Sequence, residues 1–145
     1  MQNLKIETEV LLISLYANII LNILKKHNEL SVCKILFFSY LIKEDKFRVR
    51  NVYSANNSQD VVYKAISLIA GKYNEYCENL EFIIKAIHLL VENKEILISN
   101  NRLCLYKEFD SGIIYYRESP FIANAIEESK KVTDRQFLKE VIANV

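Results

Sequence analysis

The spacing of apolar and polar positions in the first third of the chain predicts two helices. Over residues 8–26 apolar side chains fall on nearly every side of a helix, and the polar ones share one narrow stripe. This distribution is typical of a central buried helix. Residues 29–31 break the pattern, and apolar positions at helical spacing resume over residues 32–43. The short interruption predicts a helical hairpin or corner.

The middle of the chain predicts a surface connection and two further helices. Residues 43–59 are polar and irregular, as is typical of an exposed connection. Ser58 provides an N-cap for a third helix over residues 59–76, which Gly71 weakens or bends because glycine costs roughly 1 kcal/mol relative to alanine. Apolar residues at three- and four-residue spacing over residues 80–91 predict a fourth, amphipathic helix.

Two short alternating runs after the fourth helix predict a β-hairpin. ILIS and RLCLY flank Asn100 and Asn101, and asparagine tolerates the positive φ of a two-residue turn. The core-facing set is Ile96, Ile98, Leu103 and Leu105. Leu97, Cys104 and Tyr106 then point the other way. We expect the C-terminal helices or another chain to cover this second apolar face, and a charge at Tyr106 to disrupt folding or assembly.

The C-terminal third is predicted to add a strand and two helices. The run IIYY at residues 113–116 fits a short strand. Ser119 and Pro120 form a helix start, and that helix is expected to end near residue 131. Residues 133–136 have the form of a capping box, in which Thr accepts from the backbone and Gln reaches back, ahead of a final helix.

These elements together predict a mainly α fold with a small β-hairpin. A helical hairpin, a further helix, an amphipathic helix and a β-hairpin follow each other in the order of a winged-helix domain. No repeat, low-complexity tract or composition break divides the sequence. We therefore expect a single winged-helix-like domain over residues 1–145, with a winged-helix core at 1–107 and a C-terminal helical extension at 108–145.

Composition narrows the chemistry that this fold can carry. Of the 145 residues 51% are hydrophobic, and 19 Lys and Arg against 18 Asp and Glu leave a net charge of +1, which argues against strongly electrostatic nucleic-acid binding. One Pro and two Gly exclude a glycine-rich phosphate loop. The sequence shows no catalytic motif or metal-ligand spacing, so we expect no enzyme, no cofactor and no metal.

Cysteine usage and the N-terminal apolar run both favour the cytoplasm. Cys33, Cys77 and Cys104 are odd in number, far apart and set among apolar neighbours, which predicts reduced core residues. The two histidines add no ligand spacing. The apolar run at residues 10–24 is too short and too polar for a membrane span, and the N-terminal residues lack the basic start of a signal peptide. We therefore expect a cytoplasmic protein.

The layout resembles the middle component of bacterial ABC-three-component defence systems, the group that includes the small middle subunit of Lamassu. The resemblance spans about residues 8–107. It rests on an Asn-bearing first helix (LYANIILNIL), an apolar second helix (SVCKILFFSYLI), a polar region with arginine (FRVR) and a helix leading into a hairpin (LEFIIKAIHLLVENKEILISNNRLCLY). The family implies a noncatalytic adaptor that bridges an SMC-like or Rad50-like coiled-coil ATPase and an effector subunit of the same operon, in a machine that senses DNA of phages or plasmids.

Two hypotheses for function use this fold. The first is an interaction subunit, in which apolar side chains beyond those of the core form a partner surface. Its aromatic candidates are Phe37, Phe38, Tyr115, Tyr116 and Phe121. The second is a winged-helix DNA-binding transcriptional regulator, in which the third helix and the hairpin contact phosphates. Its candidate nucleic-acid-binding residues are Lys64, Lys72, Arg102 and Lys107, although nearby glutamates also fit an ordinary solvated surface.

Overall fold

A computed structural model describes residues 2–44, 58–108 and 112–144. Its helices are α1 (Gln2–His27), α2 (Val32–Lys43), α3 (Ser58–Ser67), α4 (Tyr73–Glu92), α5 (Pro120–Ser129) and α6 (Asp134–Ala143). Its strands are β1 (Glu29–Ser31), β2 (Ile96–Ser99) and β3 (Arg102–Leu105). Most of the connection predicted at residues 43–59 lies outside the described residues.

The prediction of a mainly α fold with a small β-hairpin is confirmed, and the sheet has one more strand than the sequence predicted. β1 pairs antiparallel with β3, and β3 pairs antiparallel with β2, so the strand order is β1-β3-β2. Leu30 of β1 lies opposite Leu103 of β3, and both are buried. Three residues are too few to show the two-residue alternation of a strand, so only the pairing with β3 reveals β1.

Helix α1 is longer and less buried than the predicted central helix. It begins at Gln2. Its C-terminal half supplies the centre of the core through Tyr16, Ile20 and Ile23, each 0% exposed, whereas Leu11 in the N-terminal half is 59% exposed. The prediction of a buried helix is therefore right for one half and wrong for the other. An apolar run indicates burial on average, but neighbours in space determine which turns are covered.

Gly71 lies in a turn that separates two helices, where the sequence predicted a bend in one. Helix α3 ends at Ser67, and Gly71 has a φ of +78°, a left-handed conformation that glycine adopts without a Cβ penalty. The chain becomes helical again at Tyr73, so that Tyr73 and Tyr76 belong to α4. The prediction of one helix over residues 59–76 is wrong on this point. The amphipathic fourth helix is confirmed.

The hairpin forms as predicted, but its second face is open. Asn100 and Asn101 have φ values of 52° and 60°, the two positive values that a type I′ turn requires. Leu97 is 44% exposed and Tyr106 is 56% exposed, because α5 and α6 pack mainly against α2 and α3. The expectation that the C-terminal helices cover this face is wrong. Because Tyr106 is more than half exposed, its surroundings give no reason for a charge at this position to unfold the protein. Ile98, predicted to face the core, is 51% exposed at the edge of the sheet.

The segment at residues 113–116 pairs with a side chain and forms no strand. The Asn18 side chain donates from Nδ2 to the Ile113 carbonyl at 3.0 Å, and its Oδ1 accepts from the Tyr115 amide at 3.4 Å. The primary amide of asparagine thus does for this backbone what a neighbouring strand would do. The strand prediction is wrong. Asn18, in the polar stripe of α1, binds the backbone of this segment instead.

Both C-terminal helices begin where their caps predict. The Ser119 hydroxyl accepts from the Ile122 amide at 3.1 Å, and the Thr133 hydroxyl accepts from the Gln136 amide at 3.2 Å. The Gln136 side chain donates to Glu140 at 3.4 Å, so the reciprocal half of the predicted capping box is absent at this site. Helices α5 and α6 share one hydrophobic core with the preceding elements.

Candidate functional site

The N-terminal half of α1 carries the longest run of exposed apolar side chains among the described residues. Its four members are Leu4 at 68%, Ile6 at 57%, Val10 at 57% and Leu11 at 59% exposed. An apolar surface of this kind on a small protein usually marks a contact with another molecule. We refer to residues 4–15 as the α1 tip.

One face of the α1 tip has the spacing of a coiled-coil seam. Leu4, Thr8, Leu11 and Leu15 follow each other at intervals of four, three and four residues. The Thr8 hydroxyl donates to the Leu4 carbonyl at 2.8 Å, which satisfies the only side-chain polar atom in this row. Such a row packs into the matching row of another helix. The helix predicted from the sequence began at residue 8, so this seam was not predicted, although the same spacing continues back to Leu4.

Helix α4 lies beside the α1 tip and forms the second wall of an open groove. The groove has a volume of about 520 Å³. Leu4, Thr8 and Leu12 line it from α1, and Glu81 and Phe82 line it from α4. Lys5 and Glu9 complete the lining, so the groove is partly apolar and partly charged and suits an amphipathic third helix.

Charged side chains connect the two walls of this groove. Lys85 Nζ on α4 lies 2.9 Å from Glu9 Oε1 on α1 and 2.9 Å from Glu81 Oε1 on its own helix. The hydrogen bonds to Glu81 and Glu9 raise the pKa of Lys85 above its ordinary value. Because the bridge is exposed to solvent, it orients α1 and α4 more than it stabilises the fold.

The four predicted nucleic-acid-binding residues are divided between two regions of the fold. Lys64 lies on α3, which packs mainly against α5 and α6, and Lys72 immediately precedes α4. Arg102 lies on β3 and Lys107 follows it, in a hairpin that packs against α1 and α4. The third helix and the hairpin therefore make their main packing contacts with different helices.

Acidic side chains accompany these cations. The Arg102 guanidinium donates to the Glu29 carboxylate at 2.8 Å, from β3 to β1. The exposed side of α4, the helix that leads into the hairpin, carries Glu75, Glu78 and Glu92. Both features weaken the attraction for DNA phosphates. A cation that is already paired with a carboxylate displaces fewer counterions from the DNA when the protein binds. The assignment of these residues to DNA stays a prediction.

We predict that the isolated chain binds DNA weakly at most and that this binding is sensitive to salt, since a surface of balanced charge can make only a few phosphate contacts. Dissociation constants from fluorescence anisotropy should fall in the nonspecific range, about 10⁻⁴ to 10⁻⁶ M at physiological salt. The double variant Arg102→Ala and Lys107→Ala should weaken this binding about equally for all sequences. Tight, sequence-selective binding at physiological salt would contradict the prediction and favour the regulator hypothesis.

The aromatic candidates for a partner surface prove to be a mixed set. Phe37 and Phe38 are 0% exposed and belong to the core, so their assignment to a surface is wrong. Tyr116 and Phe121 are half-buried against the core. Tyr115 alone is widely exposed, at 59%. The exposed large hydrophobic side chains of the described residues are thus mostly aliphatic, and the α1 tip carries four of them.

The cysteines differ from their prediction in burial. Cys33, Cys77 and Cys104 are free thiols, but Cys77 is exposed and the other two are only partly buried, so the prediction of three core residues is wrong. Within residues 2–44, 58–108 and 112–144, no group of three or more His, Cys, Asp or Glu side chains could hold a metal ion.

Helix α1 meets the length and composition criteria of a membrane span. Over Asn3–His27 its most apolar window has a mean hydropathy of 1.5, and 33% of that window is buried inside the protein. The helix is longer than the run at residues 10–24, so length no longer argues against a span. A core helix passes the same test, and the buried C-terminal half of α1 is such a helix, which makes this feature weak support for a membrane protein.

Comparisons with known proteins were made at three levels. No protein-family model, no curated protein and no solved structure matches this chain. The resemblance to the middle component of ABC-three-component systems therefore stays a prediction from sequence layout.

Proposed function

We propose that this protein is a noncatalytic adaptor subunit of an anti-phage or anti-plasmid defence complex. It bridges an SMC-like ATPase and an effector subunit of the same operon, acts in the cytoplasm and contacts DNA through the complex. The sequence resemblance supports the identity of these partners. The adaptor role is carried by one observation, the α1 tip, where Leu4, Ile6, Val10 and Leu11 are each more than half exposed.

A helix with its own apolar seam is the partner that fits the α1 tip best. The coiled-coil arms of an SMC-like ATPase present heptad rows, and the row from Leu4 to Leu15 has matching spacing. At a rise of 1.5 Å per residue this row is about 16 Å long, which is enough for three helical turns of contact. Full burial of Leu4 and Leu11 would contribute about 1.5 to 3 kcal/mol each.

Leu11→Glu is expected to weaken binding to the coiled-coil partner by at least about tenfold, because it places an unpaired charge in a desolvated seam. Co-expression with the products of its operon and purification through a tag on the ATPase show whether the protein enters the complex. Biolayer interferometry then measures the affinity of each variant of this protein for the ATPase. Ile142→Glu on α6 is the matched control, since Ile142 is 61% exposed and Leu11 is 59% exposed. Equal affinities of the two variants for the ATPase would refute the α1 tip as the contact.

The second candidate is a winged-helix DNA-binding transcriptional regulator. The observation that favours it is the sheet. The strand after the first helix, β1, pairs with the hairpin, and this pairing is expected of a wing that is supported on the helical body. The acidic exposed side of α4 and the Arg102–Glu29 ion pair make this candidate less well supported than the adaptor.

A further inference from the structure

The row of side chains that forms the seam of the α1 tip continues into the C-terminal half of α1. After Leu15, the last residue of the seam, the same alternation of three- and four-residue steps reaches Asn18 and Asn22. This alternation keeps all of these positions on one face of the helix. The face therefore has a leucine half, from Leu4 to Leu15, and an asparagine half.

A segment of the chain itself occupies the asparagine half of this face. Asn18 donates to the Ile113 carbonyl at 3.0 Å and accepts from the Tyr115 amide at 3.4 Å. Further along, Glu118 Oε2 lies 2.8 Å from Nε2 of His27, the last residue of α1. Residues 113–118 thus follow α1 from Asn18 to its end, and we call them the strap.

The leucine half cannot hold an extended chain in this way. The Thr8 hydroxyl already donates to the Leu4 carbonyl, and no side chain of the row from Leu4 to Leu15 carries an amide. An extended occupant would bury backbone N–H and C=O groups without partners, and each such group costs about 1 to 3 kcal/mol. A helix satisfies its own backbone groups, so a helix is the occupant that suits the leucine half.

Unpaired charges flank the leucine half on both sides. Lys5 lies on the side of α4, since it lines the groove between α1 and α4, and the heptad spacing places Glu7 on the opposite side. Both side chains are exposed, and neither forms an ion pair with another residue that the structure describes. A helix with carboxylates on the α4 side and lysine or arginine on the other side complements these two charges.

The strap limits the leucine half at its C-terminal end. Ile113 and Tyr115 are bound to Asn18, one helical turn after Leu15, and are 70% and 59% exposed. The strap already occupies the face beyond this point. A helix that runs along the seam from Leu4 therefore meets these two apolar residues at its end.

We propose that the α1 tip binds one helix of a partner protein, that this helix has one acidic and one basic flank, and that it ends against Ile113 and Tyr115. Three helical turns of α1 set the length of the contact, and the strap sets the register. The inference rests on the proposed adaptor function. It adds the charge pattern of the partner helix and a contact that lies about 100 residues from the α1 tip in sequence.

The test measures affinity for the ATPase of the operon by biolayer interferometry. Lys5→Glu combined with Glu7→Lys leaves the net charge unchanged and should weaken binding about fivefold, because both flanks then repel the partner. This effect should disappear near 1 M salt, where the Debye length is about 3 Å. Ile113→Asp combined with Tyr115→Asp should weaken binding about tenfold, because carboxylates replace the apolar cover at the end of the helix.

Matched controls lie on α6, which packs mainly against α2 and α3. They are Lys139→Glu with Glu140→Lys, and Leu138→Asp with Ile142→Asp, and both should stay within about twofold of the wild-type affinity. If either test variant binds as tightly as its control while Leu11→Glu still weakens binding, the inference is overturned and the adaptor contact stands. Absence of ATPase binding by the wild-type chain would overturn both.

Discussion

Phe37→Ala is expected to lower the free energy of unfolding by about 4 kcal/mol, because it removes the ring that joins three helices in the core. Phe37 on α2 is 0% exposed. Its ring centroid lies 5.5 Å from that of Phe38, 5.8 Å from that of Tyr76 on α4 and 5.4 Å from that of Phe137 on α6, in edge-to-face geometry. The alanine variant loses both the buried area and these aromatic contacts, which α2, α4 and α6 cannot refill without moving.

Urea denaturation followed by circular dichroism would measure this effect. Phe37→Leu keeps most of the volume and should cost less than about 1.5 kcal/mol, so it remains measurable even if the alanine variant fails to fold. Phe121→Ala is the control for loss of a phenyl ring, because Phe121 is only half-buried against the core. A loss in Phe37→Ala no larger than in Phe121→Ala would show that the aromatic cluster does not hold the helices together.

His27→Gln is expected to cost about 3 kcal/mol near neutral pH, because it removes the buried cation from an ion-pair network between α1 and the C-terminal segment. His27 is 2% exposed, and its Nε2 donates to Glu118 Oε2 at 2.8 Å while its Nδ1 donates to Glu127 Oε2. An ionised carboxylate only accepts hydrogen bonds, so both ring nitrogens carry protons and the ring is an imidazolium. The neutral glutamine would leave the largely buried Glu118 with Lys26 alone.

The contribution of His27 should depend on pH in a defined direction. Burial acts to lower the pKa of His27, but the hydrogen bonds to Glu118 and Glu127 outweigh it, and the pKa is raised above its ordinary value of 6.5. Because the folded state binds this proton more tightly, the stabilisation is fully present below about pH 6.5 and is lost as pH rises through the folded pKa. The difference between the wild-type protein and His27→Gln should therefore shrink towards alkaline pH.

Glu127 sets the acidic limit of the same contribution. Burial acts to raise its pKa, but the hydrogen bonds with His27 and Lys130 lower the pKa below its ordinary value of 4.5. Its stabilisation is present above about pH 4.5 and is lost as pH falls through the lowered pKa. Unfolding free energies at intervals from about pH 2 to pH 9 would follow both limits. His88→Gln is the control, since His88 is exposed on α4, and a pH profile of His27→Gln parallel to the wild-type profile would contradict this account.

Local signals in the sequence sufficed for the elements whose causes are local. The bounds of α2 and the C-terminal part of α4 follow from apolar spacing, the hairpin turn from two asparagines that tolerate positive φ, and the starts of α5 and α6 from hydroxyl caps. Strand β1 was missed because it exists only by pairing with β3, which lies about 70 residues away in sequence.

The candidate surfaces divide in the same way between sequence and structure. The sequence shows the four-three spacing of the α1 tip. It could not show that Leu4 is exposed while Tyr16 is buried on the same helix, since exposure depends on where the neighbouring helices end. Nor could it pair Arg102 with Glu29.

The amino-acid sequence by itself determined the helical class of this protein, its hairpin and its caps, because each of these depends on residues close together in the chain, and its nearly balanced charge follows from composition alone. Only the tertiary structure decided which apolar residues form the core and which form surfaces, and where buried charges such as Lys34 find partners. Lys34 Nζ donates to the Val132 carbonyl at 2.6 Å, a contact across 98 residues that no local pattern encodes. Burial and long-range pairing are properties of neighbours in space, and local periodicity carries no information about which neighbours those will be.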